Sequence, residues 1–209
     1  TAIQIASLQD NNQPTIQEGC LYFEYKLYRG NRTTKINAER FNAFASPNFP
    51  LLIESGVHLK INFDLTYKKN NSKKLIVHKE FDNNVVILKI FPGFNEIILS
   101  TILKIPNLKG VILETYGSGN APTGEWFITA LEGAIQKGLH VVNITQCSGG
   151  SVNMEQYETG SKLQEIGVIS GKDCTTEAAI TKLMFLLGQK TESAVFKNTF
   201  ETSLRGELT

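Results

Sequence analysis

GVILETYGSGNAPTGEWFITALEGAIQKGLHVVNIT, residues 110–145, decides the fold. Gly110 to Thr115 is a short apolar run of strand length. From Thr123 to Lys137 the period changes: Trp126, Phe127, Ala130, Leu131, Ala134 and Ile135 recur at helical spacing and form one stripe. Gly138 closes that helix, and Leu139 to Thr145 is again strand-like. Strand, helix and strand in so short a span form a crossover unit, whose two strands lie parallel.

The pattern extends both ways. Upstream, Val85 to Phe91 reads as a strand and Asn95 to Lys104 as a helix that Asn95 can cap. Downstream, Thr176 to Leu187 reads as a helix with Ala179, Leu183 and Leu186 on one side and Gly188 after it. Alternating strands and helices imply a parallel sheet covered on both faces. Ligands of such sheets gather at the carboxyl ends of the strands, which singles out the loops after Phe91, Thr115 and Thr145.

The first third is less regular. Ala2, Ile5, Ala6 and Leu8 mark a helix without a cap, so the chain, which opens at Thr1, reads as entering partway along one. Gln9 to Gln17 is polar and reads as a loop, Cys20 to Leu27 as a strand, Ser46 to Pro50 as irregular and Val57 to Phe63 as a strand. Tyr67 to Lys74, YKKNNSKK, is polar and basic and reads as a linker. The expected class is α/β: residues 1–66 as the remainder of an N-terminal α/β domain, 67–84 as a linker, and 85–209 as a smaller C-terminal parallel-sheet α/β domain.

Composition narrows function. The 209 residues are 41% hydrophobic and 20% charged, with a net charge of +1. No electrostatic footprint for nucleic acid or anionic membrane follows, and YKKNNSKK lacks the interleaved aromatics that stack bases. No apolar run approaches the roughly 20 residues of a membrane span. Cys20, Cys147 and Cys174 are far apart and odd in number, which fits a reducing compartment. His58, His78 and His140 are scattered, so no metal site is expected.

Four segments could carry chemistry. Leu27 to Lys35, LYRGNRTTK, gathers hydroxyls, two arginines and a lysine. It reads either as a solvated basic loop or as a segment drawing Lys35 into a cleft, where desolvation lowers its proton affinity. Tyr116 to Pro122, YGSGNAP, joins strand to helix, and its two glycines allow close approach to a ligand. A dinucleotide fingerprint is a poor fit because Pro122 stands where the third glycine belongs, so no cofactor is expected. Asn143 to Gly150, NITQCSGG, ends a strand with amide and hydroxyl groups suited to a small polar ligand, and its Cys147 reads better as an inert thiol than as a nucleophile. Val152 to Gly160 is a loop running into a helix.

In order along the chain, LYRGNRTTK (27–35), FNAFASPNFP (41–50), ESGVHL (54–59), YGSGNAP (116–122), VVNITQCSGG (141–150), VNMEQYETG (152–160) and LRGEL (204–208) resemble the cytoplasmic-type bacterial L-asparaginases from Cys20 to the end. The resemblance implies a cytoplasmic enzyme that hydrolyses L-asparagine to L-aspartate and ammonia, built from a larger N-terminal and a smaller C-terminal α/β domain. It implies that Lys35 is the active-site lysine and that Asn120 reaches the substrate from the partner subunit of an intimate dimer, alone or within a tetramer. It also places Thr34, Thr145 and Cys147 in a regulatory asparagine site, where Glu114 stands in the place of an arginine. A glutamate repels the carboxylate that an arginine clamps, so regulation there is expected to be lost or altered. The family's TGGTIG-like and HGTDT-like runs, which carry the nucleophilic threonine and its helpers, do not occur in these residues. The chain is therefore expected to be a portion of the enzyme, inactive without a missing N-terminal segment. A non-catalytic binding or dimerisation domain and an amidotransferase-associated subunit are the alternative readings.

Overall fold

The structure is a computed structural model and describes residues 1–68, 75–155 and 158–209. Residues 69–74 of the polar stretch read as a linker, and 156–157 of the VNMEQYETG run, lie outside the described residues. The chain divides into two units, Thr1–Val77 and His78–Thr209.

The first unit is mainly antiparallel. Helix α1 (Ala2–Ala6) buries Ile5. Strands β1 (Gln9–Asp10) and β2 (Gln13–Pro14) pair where the sequence suggests only a loop. Asn11 and Asn12 make the turn at φ +49° and +60°, a region asparagine tolerates better than most residues. The single strand read over Cys20 to Leu27 is instead a hairpin, β3 (Cys20–Phe23) against β4 (Lys26–Arg29). Its turn residues Glu24 and Tyr25 hold φ +43° and +64°. Such turns normally carry Asn-Gly, so Glu-Tyr gave no warning of one.

Strand β5 (Thr34–Lys35) pairs with β6 (Phe44–Ala45). Strands β7 (Ile53–Ser55) and β8 (Leu59–Ile61) complete a four-stranded sheet of order β3-β4-β7-β8. Ile5, Leu27, Leu52 and Ile53 form its core. The two arginines of LYRGNRTTK are buried rather than solvated. Arg29 is held by Glu18 and by the Leu65 carbonyl at 2.9 Å, and its guanidinium lies over the Phe49 ring.

The second unit alternates as its sequence period requires. In order come β9 (Val85–Lys89), α2 (Glu96–Leu103), β10 (Gly110–Thr115), α3 (Glu125–Gln136), β11 (His140–Thr145), α4 (Glu158–Glu165), β12 (Ile169–Ser170), α5 (Thr176–Gly188) and α6 (Ser193–Glu201). The four strands are parallel, in the order β12-β11-β10-β9. Asn95 caps α2 by accepting the Ile98 N–H, and Thr175 caps α5 through Ala178 N–H.

Because the strands follow one another in a single direction, crossovers of one hand put α2, α3 and α4 on the same face. The core there packs Leu88, Leu99, Val111, Leu113, Leu131 and Leu163. The pleat turns Ile112, Val142 and Ile144 to the other face, where Leu183, Phe196 and Phe200 of α5 and α6 cover them. The protein is therefore α/β, with antiparallel sheets followed by a parallel sheet clothed on both sides. Among the described residues no helix is long and apolar enough to cross a membrane.

Candidate functional site

Strands β10 and β11 end level, with Thr115 opposite Thr145. Side chains alternate along each strand, so Thr115, Asn143 and Thr145 share the α3 face at its carboxyl end. Thr115 and Asn143 are wholly buried, and Thr115 Oγ1 donates to Asn143 Oδ1 at 2.7 Å. Gln146 ties the strand ends together by donating from Nε2 to the carbonyls of Ile90 (2.6 Å) and Glu114 (2.8 Å).

The Tyr116–Asn120 loop rests on this platform. Tyr116 N–H donates to the Asn120 carbonyl at 2.9 Å, and Asn120 N–H donates back to the Tyr116 carbonyl at 2.8 Å. Thr145 Oγ1 donates to the Gly117 carbonyl at 2.5 Å, and Asn153 N–H donates to that of Ser118 at 2.9 Å. Gly117 and Gly119 hold φ +51° and +119°, which other residues adopt only under strain. Asn120 is half-buried, and Thr159 Oγ1 lies 3.5 Å from its Oδ1. A loop pinned at this many points presents its side chains without paying to order them.

Of the candidate residues in this unit, Asn120, Thr145 and Cys147 belong to one loop cluster. Cys147 is exposed, and its N–H donates to Thr145 Oγ1 at 3.0 Å. Glu114 is turned the other way, to the α5 side. It is buried, accepts from Thr176 Oγ1 at 2.7 Å and lies 3.5 Å from Lys89 Nζ. Thr176 opens α5, so this carboxylate also sits at the positive end of a helix.

Thr34 and Lys35 lie on β5 in the first unit. Thr34 is half-buried, whereas Lys35 is exposed, with Nζ 5.9 Å from the Phe44 ring centroid. The desolvation read from sequence as lowering its proton affinity is therefore not supplied by its own unit. Beside the hairpin lies an open depression of about 330 Å³ floored by Phe23, Phe44 and Leu51. Tyr28, which borders it, donates to the Phe44 carbonyl at 3.2 Å, and burial followed by the nearby Glu24 charge pushes its hydroxyl up. Burial, followed by the charge of Glu18, pushes the Cys20 thiol up to about 11, which makes it a poor nucleophile. Among the described residues no group of three or more His, Cys, Asp or Glu could hold a metal ion.

The amides of Asn143 and Gln146 are expected from sequence to suit a small polar ligand, but that of Asn143 is wholly buried, that of Gln146 is bonded to the carbonyls of Ile90 and Glu114, and Thr115 carried no expected role. Polar residues inside a run that otherwise reads as a buried parallel strand were the available signal.

Two family models match the chain: "Asparaginase, N-terminal" over residues 1–67 and "Glutaminase/Asparaginase C-terminal domain" over residues 84–200. The chain is 42% identical over 194 residues to L-asparaginase 1 of Escherichia coli (strain K12), a match that covers 93% of this chain and 57% of that protein. It is also 42% identical to the 60 kDa lysophospholipase of Mus musculus over 94% of this chain and 35% of that one. The crystal structure of L-asparaginase I from Vibrio cholerae superposes with a TM-score of 0.86 at 37% identity, over 93% of this chain and 58% of that one. The chain thus spans little more than half the length of these asparaginases.

Proposed function

Because this chain belongs to the glutaminase/asparaginase family, with matches over residues 1–67 and 84–200, we propose that it serves the hydrolysis of L-asparagine to L-aspartate and ammonia. The observation that carries the reading is the Tyr116–Asn120 loop, pinned at the carboxyl edge of a parallel sheet so that Asn120 is presented in one pose. A fixed amide there can donate to and accept from an amino-acid ligand at little entropic cost.

The nucleophilic hydroxyl comes, on this reading, from polypeptide outside these 209 residues, whose sequence holds no TGGTIG-like or HGTDT-like run. That hydroxyl attacks the side-chain amide carbon, the C–N bond breaks, and ammonia leaves with a transferred proton. Water then cleaves the resulting ester to aspartate. Lys35 supplies the cation of the site. Lys35 is exposed on β5, so it acts on a hydroxyl only once neighbouring polypeptide covers it and an acidic partner is at hand. Asn120 is contributed to a second copy of the chain, which makes the working form a homo-oligomer, and the compartment is the cytoplasm. Residues 1–66 and 85–209 act as its two domains.

Regulation by asparagine at a site that includes Thr145 and Cys147 is lost or altered. The resemblance puts Glu114 in the place of an arginine that would clamp the ligand carboxylate, and this side chain is instead turned to the α5 side against Thr176 and Lys89, so that clamp is missing. Calorimetric titration checks this: micromolar asparagine binding that persists after the catalytic site is blocked would overturn it.

Ammonia release tests the main reading. The 209-residue chain alone should release none from asparagine, and joining it to a segment bearing the two missing runs should restore release. Lys35→Met should then lower kcat/KM by about 100-fold or more, as loss of a group moving or holding a proton does. Robust turnover by the 209 residues alone would overturn the assignment of the nucleophile.

A further inference from the structure

Asn143 is wholly buried in β11, among strand positions that favour apolar β-branched side chains. Its Oδ1 is satisfied by Thr115 Oγ1 at 2.7 Å, but its Nδ2 has no hydrogen-bond partner among the described residues. A buried donor left unpaired costs stability, and such a group calls for a reason. The donor lies directly beneath the Tyr116–Asn120 loop. A methyl built on Gly119 would stand 3.3 Å from Nδ2 and 3.1 Å from Val152 Cγ1. Four of the five loop carbonyls accept hydrogen bonds: Tyr116 from Gly119 and Asn120, Gly117 from Thr145, Ser118 from Asn153, and Asn120 from Tyr116. Among the described residues, the carbonyl of Gly119 stands outside that set.

We propose that Asn143 is a positioning residue for Asn120. Its amide forms a polar floor on which the glycine at 119 can sit close, which sets the height of the loop. Because the loop is pinned in one pose, Asn143 is the group that the Gly119 backbone meets from below. The cost of the unpartnered donor is the counterpart of the close seat that holds Asn120 at the height its ligand contact needs. This rests on the reading of Asn120 as a substrate-side residue.

Asn143→Leu tests it, since leucine fills nearly the same space without a donor, and Thr115 Oγ1 keeps the Ile144 carbonyl at 3.3 Å. The melting temperature should stay level or rise, because an unpaired donor has been removed. In amide NMR spectra of the 209-residue chain, Gly119, Asn120 and the Asn120 side-chain amide should shift while Leu131 and Ile112 stay in place. In the protein joined to the nucleophile-bearing segment, KM for L-asparagine should rise about tenfold with kcat held within about twofold, the mark of lost binding rather than lost chemistry. Loop resonances that do not move would overturn the proposal. So would a fall in melting temperature with shifts spread through β10 and β11, which marks a purely structural amide. If the parent protein with Asn143 intact turns over no asparagine, the proposed reaction fails, and the NMR comparison still judges Asn143.

Discussion

Lys182 Nζ donates to Glu207 Oε1 at 2.5 Å, and the two side chains are 4% and 6% exposed. Lys182 stands on α5, and Glu207 belongs to the LRGEL run, residues 204–208. The ammonium also donates to the Thr202 carbonyl at 2.6 Å, and the carboxylate accepts the N–H groups of Leu204 and Arg205. The pair therefore fastens the terminal segment to the helix that covers the parallel sheet.

Removing one partner leaves the other charge buried and alone. Lys182→Met or Glu207→Leu should each cost about 3–5 kcal/mol of unfolding free energy, and the double substitution should cost much less than their sum. Urea unfolding of the three variants checks this. Burial pushes the Glu207 carboxyl up, but the Leu204 N–H, Lys182 and the Arg205 N–H together hold it below the ordinary carboxylate value. A lowered carboxyl contributes stability above its unfolded pKa and loses it as pH falls through the folded value. The acid limb of the stability curve should therefore flatten in the double variant.

Asp82 is a second carboxylate with a named cause. The Lys109 ammonium, 2.5 Å from Oδ2, and the Asn84 N–H lower it from 3.8 to about 2. Lys109→Ala should return it toward the ordinary value, which NMR titration of the Asp82 carboxyl reads directly. Its contribution is present above pH about 4 and fades as pH falls toward 2, so the variant should lose stability at neutral pH and little at pH 2.

His140 stacks on Phe196 with centroids 3.7 Å apart and ring planes within 13°. Burial holds its imidazole below the ordinary histidine value. The folded state thus prefers the neutral ring, and its stability is present above the unfolded pKa of about 6.5 and lost as pH falls below it. His140→Phe should remove that loss. Thermal melts of both proteins across the slightly acid range check the sign.

Gly119→Ala should strain the candidate site specifically. The residue holds φ +119°, and the added methyl would press on Val152 and Asn143. A cost of about 1–3 kcal/mol is expected. Proteolysis or hydrogen exchange should show it concentrated in residues 116–120, with the β9 to β11 core protected as before.

Legibility followed the length of each pattern. The stripe from Trp126 to Ile135 and the cap at Asn95 each combine several residues that agree, and α3 and α2 form where they point. Strand β12 has two residues and α6 only two buried aromatics, Phe196 and Phe200, so neither carries enough period to stand out. The hairpin at Glu24–Tyr25 was hidden because its turn lacks the residues that turns of that hand prefer. Arg29 reads as a solvated charge until the chain brings Glu18 beneath it.

The amino-acid order alone determined the alternation of strand and helix, the loops at the strand ends and the family resemblance, because those depend on residues near one another in the chain. The exposure of Lys35, the burial of Glu114 against α5 and the Asn143 Nδ2 that no described residue accepts beneath Gly119 were decided only by the tertiary structure. Whether a polar group meets water, a partner or nothing depends on segments tens of residues away, and no local period encodes that.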